Sequence, residues 1–274
     1  MKRIPFLLFL SLMTPIADAQ IHGGPRKGIL IIQGAGDIGR RLPRVWDDFI
    51  RLAGGPDANF VFIPTADNAV DLHNLPREEF PFDRLKHVTV LHTRCRPEAD
   101  DEAFVAPLKN AAGVWFGSGR QFRLVDSYLH TRFQREVRAV LDRGGVVGGT
   151  SAGGVILASH LVHSAILDQK ILIAKGYEEG FGYLTNLVIA QRIEVRKGEG
   201  DMAPIIASHP ELLGLGLEES SAILVRGNIL EVIGPGRVAI TDGKDHGGTR
   251  YYFLSAGDRF DFKTRSKVAA RPGR

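Results

Sequence analysis

The sequence has a single cysteine, Cys95, among its 274 residues. A lone cysteine excludes an intramolecular disulfide, so the chain is not one of the small scaffolds that disulfide bridges stabilise. Beyond its first residues, the chain also lacks any apolar run of the roughly 20 residues that a membrane-spanning helix needs. The formal net charge is only +4, and the basic residues are scattered along the chain. This pattern does not predict a nucleic-acid-binding surface.

The first residues have the pattern of a secretory signal peptide. Two basic residues follow Met1, residues 6–13 are largely apolar, and Ala-Asp-Ala at 17–19 matches a cleavage site. The apolar run is too short to span a bilayer. We predict a signal peptide over residues 1–19 and a single mature domain over 20–274. The mature protein is then expected to be secreted or periplasmic, with no membrane attachment.

A Gly-Thr-Ser-Ala-Gly sequence at 149–153 matches the G-x-S-x-G nucleophile elbow. It follows an apolar run that predicts a buried strand and precedes an apolar run compatible with a helix. A serine on such a sharp turn needs neighbours without side chains, so that the chain can fold tightly and a substrate can approach. The amide of Ala152, at the start of the helix, would point to where an oxyanion forms. Ser151 is therefore the candidate nucleophile, and the alternative is a glycine-rich turn with a buried serine.

The first half of the chain alternates predicted strands with predicted helices. The strands are expected at 28–33, 59–65, 87–91 and 113–116, before the strand that begins at Val146, and the helices at 42–54, 102–112 and 127–142. This alternation predicts an α/β fold, with a mostly parallel sheet and helices on both faces. Ligands bind at the carboxyl ends of the strands in such sheets. Ser151, Gly119 and Gly36 all follow predicted strands at that edge.

Strands dominate the second half. They are expected at 170–174, 186–190, 222–225, 229–233 and 237–241. Arg-Gly-Asn at 226–228 predicts a tight hairpin turn between two of these strands. We therefore expect an antiparallel hairpin extension near the C-terminus.

Residues 34–39 match the G-x-G-x-x-G pattern of dinucleotide-binding sites. A Rossmann unit also needs an acidic residue at the end of its second strand. Here the second predicted strand comes late and ends in Pro64 and Thr65. We interpret the glycines as allowing a loop to pack beneath the active site, and a nucleotide-dependent enzyme is the least favoured hypothesis.

Three blocks of sequence resemble the cyanophycinase and dipeptidase-E family of serine peptidases, which has a class I glutamine-amidotransferase-like fold. Residues 116–121 resemble its F-T-G-G-D-Q loop, 149–153 are identical to its G-T-S-A-G elbow, and 213–222 are similar to its G-I-G-I-D-E-x-T-A block. The matches span nearly the whole mature chain. The resemblance implies the following roles: Ser151 as nucleophile, Glu219 as acidic triad member, Gly119 and Ala152 as oxyanion donors, and Gln121 in the substrate pocket. We expect a peptide or aspartyl-peptide substrate, with no cofactor and no metal.

The chain departs from the family where the general base should be. Cyanophycinases carry D-Q-H-F before the acidic block, and here Ala-Gln-Arg-Ile stands at 190–193. Gln191 matches, but Arg192 replaces the histidine, and arginine cannot take a proton near neutral pH. Of the family's following arginines, Arg196 remains, while Arg120 replaces the loop aspartate. Gln191, Arg192 and Arg196 are the candidate substrate-binding residues beside Gln121, and the alternative for the two arginines is a solvated strand end.

Another histidine would have to supply the base. We expect His160 and His163 to lie on the helix that begins after Ser151. Nine residues of helix extend about 13 Å, so both would lie too far from the serine. His73, after the second predicted strand, is the best replacement candidate because it lies on the expected active-site rim.

Two main hypotheses remain open beside the nucleotide one. The first is an exported serine peptidase with an altered specificity and an altered base. The second is a catalytically impaired relative that binds an acidic peptide or carboxylate ligand, because guanidinium and amide groups suit a carboxylate. The sequence allows a homodimer without fixing the oligomeric state.

Overall fold

The structure is a computed structural model, and it describes residues 23–35, 42–73, 75, 79–164 and 171–269. The predicted signal peptide and most of the G-x-G-x-x-G pattern lie outside these described residues. No helix among them is long and apolar enough to cross a membrane.

The described helices are short. They are α1 Pro43–Leu52, α2 Arg96–Ala99, α3 Glu102–Val105, α4 Gln121–Tyr128, α5 Arg132–Asp142, α6 Ala152–Val155, α7 Ile193–Arg196 and α8 Ala203–Ser208, with 3-10 turns at Phe82–Arg84 and Ala106–Asn110.

The strands form three sheets. They are β1 Ile29–Gln33, β2 Asn59–Ile63, β3 His87–Val90, β4 Gly113–Phe116, β5 Val146–Thr150, β6 Ala158–His160, β7 His163–Ser164, β8 Ile171–Leu172, β9 Leu184–Gln191, β10 Leu213–Leu217, β11 Ala222–Arg226, β12 Ile229–Ile233, β13 Val238–Thr241, β14 Tyr252–Leu254, β15 Arg259–Asp261 and β16 Ser266–Val268.

The largest sheet has nine strands in the order β16-β15-β12-β11-β1-β5-β4-β2-β3. The five strands from β1 to β3 in this order are parallel, and the other four pair antiparallel with their neighbours. A two-residue turn at Gly227 joins β11 to β12, where the sequence predicts the hairpin. The predicted parallel sheet with an antiparallel C-terminal extension is therefore confirmed.

Both faces of this sheet are buried, because successive residues of a strand point to opposite faces. On one face, Ile31 packs with α1 and with an aromatic cluster that includes Trp46, Phe49 and Trp115. On the other face, Ile32 packs with residues of α4 and α5. The predicted helices on both faces are confirmed, and the parallel core fixes where its strand ends meet.

A second, five-stranded sheet has the order β14-β13-β10-β9-β6. Its parallel strands β9 and β10 align so that Gln191 lies opposite Leu217 at their carboxyl ends. Leu187 and Ile189 of β9 join the same core cluster as Ile32 of the large sheet. Of these strands the sequence predicts only β9 and β13, and it does not predict the division of strands between two sheets, because that division depends on long-range packing.

The predicted helix over 127–142 is wrong in its boundaries. The chain forms α4 and α5 with a break at 129–131, where His130 has φ 62° and the Thr131 hydroxyl donates to the Tyr128 carbonyl at 2.6 Å. The predicted helix over 102–112 is α3 followed by a 3-10 turn. Pro107 lies in that turn, and its missing amide hydrogen cannot continue a helical ladder.

The prediction that His160 and His163 lie on the helix after Ser151 is wrong. α6 ends at Val155, and the two histidines lie in β6 and β7. The amide of Phe181 donates to the Ile156 carbonyl at 2.7 Å. This long-range bond uses an acceptor that a continued helix would need, so the chain leaves the helix after one turn.

Candidate active site

Ser151 lies in the sharp turn between β5 and α6. Its backbone has φ 51° and ψ −120°, a conformation that residues with side chains rarely adopt. A Cβ at Gly149 would lie 2.2 Å from the carbonyl oxygen of Gly153, so the turn closes only with glycine at this position. The predicted nucleophile elbow is confirmed, and it presents a half-buried serine at the carboxyl edge of the parallel strands.

The loop after β4 lies against this elbow. A Cβ at Gly153 would lie 2.3 Å from the carbonyl oxygen of Phe116, which shows how closely α6 approaches the loop. Gly119 has φ 137°, and the next amide, of Arg120, donates to the Ala66 carbonyl at 2.8 Å. The structure therefore places the loop after β4 and the first turn of α6 side by side.

A buried polar network lies in the loops beside Ala66. The Thr65 hydroxyl is 2.7 Å from the Tyr128 hydroxyl and 2.9 Å from Nδ1 of His92. Burial raises the pKa of Tyr128 to about 12, so its hydroxyl stays protonated at neutral pH. Burial and the nearby Arg94 lower the pKa of His92. These uncharged groups hold the ends of β2 and β3 in place. The Gly119 loop is held to the same region because the Arg120 amide donates to the Ala66 carbonyl.

Glu219 forms an ion pair with Arg192. The guanidinium Nε donates to Oε1 of the carboxylate at 2.8 Å, and the side chains are 53% and 20% exposed, respectively. The pair forms because each residue lies within two positions of the aligned ends of β9 and β10. The structure therefore places the arginine that replaces the family histidine directly on the candidate acidic residue of the triad.

The adjacent Glu218 has a different environment. Its carboxylate accepts from Nε and Nη2 of Arg237 at 2.9 and 2.6 Å and from the Arg237 amide at 2.6 Å. Arg237 also stacks over the Phe253 ring at 3.9 Å. Glu218 is thus committed to holding the end of β10, which supports Glu219 as the acidic member of the site.

A second carboxylate, missed from the sequence, supports Glu219. Oε1 of Glu194 accepts the backbone amide of Glu219 at 2.7 Å. Oε2 of Glu194 is buried and has no hydrogen-bond partner among the described residues. No motif marks Glu194, and only the pairing of β9 with β10 brings its short helix to the acidic block.

Gln191 connects the second sheet to the nucleophile. Its Nε2 donates to the carbonyls of Gln33 at 3.2 Å and Ser151 at 3.4 Å, and the Ser151 amide also donates to the Gln33 carbonyl at 3.2 Å. Gly34 follows directly, and a Cβ there would lie 2.1 Å from the Glu218 carbonyl oxygen. The interpretation that this glycine lets a loop pack beneath the active site is confirmed.

The remaining predicted residues divide between buried and exposed positions. The Arg196 side chain is only 8% exposed, and it donates to the Gln191 carbonyl at 3.1 Å. Burial lowers the pKa of Arg196, and Asp201, 3.7 Å away, opposes that shift.

Gln121 begins α4, and its side-chain amide donates to the Val162 carbonyl at 2.7 Å. His73 lies on the exposed loop after β2.

Comparisons with known proteins identify relatives of this chain. The chain is 27% identical to the cyanophycinase of Geminocystis herdmanii, over 89% of this chain and 97% of that protein. It is 25% identical to the cyanophycinase of Synechococcus elongatus, over 92% of this chain and 84% of that protein. A crystal structure of a peptidase from an acI-B1 Actinobacterium shares the fold, with a TM-score of 0.68, 24% identity and coverage of 87% of this chain and 98% of that one.

A serine in a strand-to-helix elbow is typical of serine-type hydrolases. Residues 29–233 match Peptidase family S51. The chain therefore belongs to Peptidase family S51 and is a serine-type peptidase hydrolase similar to cyanophycinase.

Proposed function

We propose that the chain is an exported serine peptidase that cleaves aspartyl-type peptide bonds through Ser151, with Arg192 in the place of the triad histidine. The observation that carries the proposal is the 2.8 Å ion pair between Arg192 and Glu219. In a complete triad, the acidic residue would hold the histidine that takes the serine proton. Here it holds a group that keeps its own protons at neutral pH.

Ser151 Oγ attacks the scissile carbonyl, and the amides of Gly119 and Ala152 stabilise the oxyanion. The serine proton must reach the leaving amine, after which water hydrolyses the acyl ester and restores the hydroxyl. Arg192 cannot accept that proton, so water or a second side chain has to carry it. A positioned general base typically contributes about 10²–10⁴-fold, so we expect slow turnover.

The ion pair also gives Arg192 a second role. Its Nε is committed to Glu219, while the side chain as a whole is 53% exposed. The remaining guanidinium N–H groups can bind a carboxylate, which an aspartyl peptide supplies. The cyanophycinase relatives and the resemblance of the three sequence blocks support aspartyl peptides as the substrate class. His73 remains the candidate replacement base, and a homodimer remains the expected assembly to test.

The same ion pair favours a second candidate function, which is binding without turnover. If Arg192 both neutralises Glu219 and captures a carboxylate, the cleft could retain an acidic peptide that Ser151 does not cleave. A fluorophosphonate probe separates the two functions, because it labels only an activated serine. We expect slow labelling that the Ser151→Ala variant abolishes. No labelling of a folded protein that still binds an aspartyl peptide would favour the binding function.

A further inference from the structure

Two neighbours fix the orientation of the Gln121 side-chain amide. Its Nε2 lies 2.7 Å from the Val162 carbonyl oxygen and 3.4 Å from Nδ1 of His163. A carbonyl oxygen only accepts hydrogen bonds. The amide nitrogen must therefore face Val162, because a reversed amide would set two acceptor oxygens against each other.

The protonation of His163 follows from the other side of its ring. Its Nε2 lies 2.9 Å from the Tyr177 carbonyl oxygen, which also only accepts. In the neutral ring Nε2 then carries the proton, and Nδ1 has a free lone pair that accepts the second N–H of Gln121. Tyr177 is itself held, because its hydroxyl donates to Oδ1 of Asp126 at 3.0 Å.

Both N–H groups of Gln121 are thus engaged within the protein, and its Oε1, which has no hydrogen bond to any described residue, can meet a ligand. We propose that His163 is a positioning residue that sets substrate specificity because, together with the Val162 carbonyl, it holds Gln121 as a hydrogen-bond acceptor. The group bound at Gln121 is then a hydrogen-bond donor, such as an amide N–H or an amine, and not a carboxylate. This inference rests on the proposed function, which places Gln121 in the substrate pocket.

The residues near Gln121 and His163 include exposed apolar side chains. Phe122 and Leu172 are two of the large apolar residues that stay exposed, at 39% and 41%. Phe122 contacts the Tyr177 ring at 6.3 Å between centroids, and Leu172 is the strand partner of His163. A carboxylate placed at Oε1 of Gln121 would set acceptor oxygens against each other, whereas the Arg192 guanidinium carries only donors. Carboxylate binding is therefore assigned to Arg192.

The tautomer of His163 tests the inference without any substrate. Two-bond ¹H–¹⁵N correlation spectra of the whole protein show which ring nitrogen carries the proton. The His163→Phe variant identifies the His163 signals among the nine histidines. We expect a proton on Nε2 alone. A proton on Nδ1, alone or with one on Nε2, would overturn the inference, because Nδ1 would then have no lone pair to accept the second N–H of Gln121.

Kinetics with two matched variants test the consequence for substrate. His163→Asn places an acceptor near the position of Nδ1, whereas His163→Gln reaches only the position of Nε2. With an aspartyl peptide, we expect His163→Gln to raise KM about tenfold, which equals about 1.4 kcal/mol, with kcat little changed. His163→Asn should stay close to the wild type. Equal effects of both variants would contradict the inference, and a wild type that neither cleaves nor binds the peptide would instead reject the proposed function.

Discussion

The Arg192 guanidinium and the Glu219 carboxylate, 27 positions apart in the sequence, meet at 2.8 Å at the carboxyl ends of two parallel strands. The arginine adopts the left-handed conformation, with φ 58° and ψ 40°. A residue with a side chain is held there only by its surroundings. The pair therefore depends on neighbouring contacts, several of which can be removed singly.

The contact between Glu194 and the Glu219 amide is the first of these. Glu194→Ala should leave that amide without its acceptor and lower the free energy of unfolding by about 1–3 kcal/mol. Glu194→Gln keeps an acceptor oxygen and should lose less. Glu211→Ala, at an exposed ion pair with His209, is the matched control and should change stability by less than about 1 kcal/mol. Urea denaturation measures all three, and equal losses at the two sites would contradict this role for Glu194.

The close approach of α6 to the Gly119 loop makes a second prediction. Gly153→Ala should place a Cβ 2.3 Å from the Phe116 carbonyl oxygen and force the two segments apart. Overpacking of this kind typically costs about 1–3 kcal/mol. We expect a lower melting temperature and loss of fluorophosphonate labelling. Gly200→Ala is the control, because a Cβ there would meet Tyr251 only at 3.9 Å. Normal labelling of Gly153→Ala would show that the loop does not depend on this contact.

The half-buried His92 predicts a pH dependence of stability. Burial lowers its folded pKa, so below about pH 6.5 the unfolded state binds a proton that the folded state resists. Stability should fall as the pH drops from about 6.5 to the folded pKa, and His92 should contribute at most about 1.36 kcal/mol per pH unit to that slope. His92→Asn should reduce the slope, and His87→Asn, at an exposed position, should not. Urea denaturation between pH 4 and pH 8, at about unit steps, checks this, and identical slopes in all three proteins would contradict it.

The predicted signal peptide gives a test that is independent of the site. Cleavage after the Ala-Asp-Ala sequence at 17–19 should leave Gln20 as the mature N-terminus. Mass spectrometry of protein recovered outside the cytoplasm measures this end directly. Exported protein that still begins at Met1 would show that these residues are not a cleaved signal.

The sequence predicts what depends on local pattern. The elbow at Ser151, the hairpin at Gly227 and the parallel strands all follow from short motifs and apolar runs, and the structure contains them. Whatever depends on distant contacts is not predictable in this way. The helix after Ser151 stops because Phe181 binds its last turn. His163 reaches Gln121 only because that helix stops, and a single sequence carries no signal of either contact.

In the candidate site, too, local sequence pattern predicts some features and distant contacts determine the others. The three sequence blocks indicate Ser151, Glu219 and Gly119, and the missing histidine at Arg192 is visible by comparison with the family pattern. That Arg192 would pair with Glu219 is a consequence of the alignment of β9 with β10. The burial of Arg196 also comes from packing, because its spacing along the chain is equally compatible with an exposed, pocket-facing side chain.

The central claim is that Ser151 is a competent nucleophile whose general base Arg192 has displaced. The most direct measurement is the rate of aspartyl-peptide cleavage by the wild type and by the Arg192→His, Ala190→Asp double variant, with Ser151→Ala added as the control. We predict slow cleavage by the wild type, a gain of about 10²-fold or more in the double variant, and loss of that gain with Ser151→Ala. A fast wild type that the double variant slows would contradict the claim, because the base would then lie elsewhere, with His73 the next residue to replace.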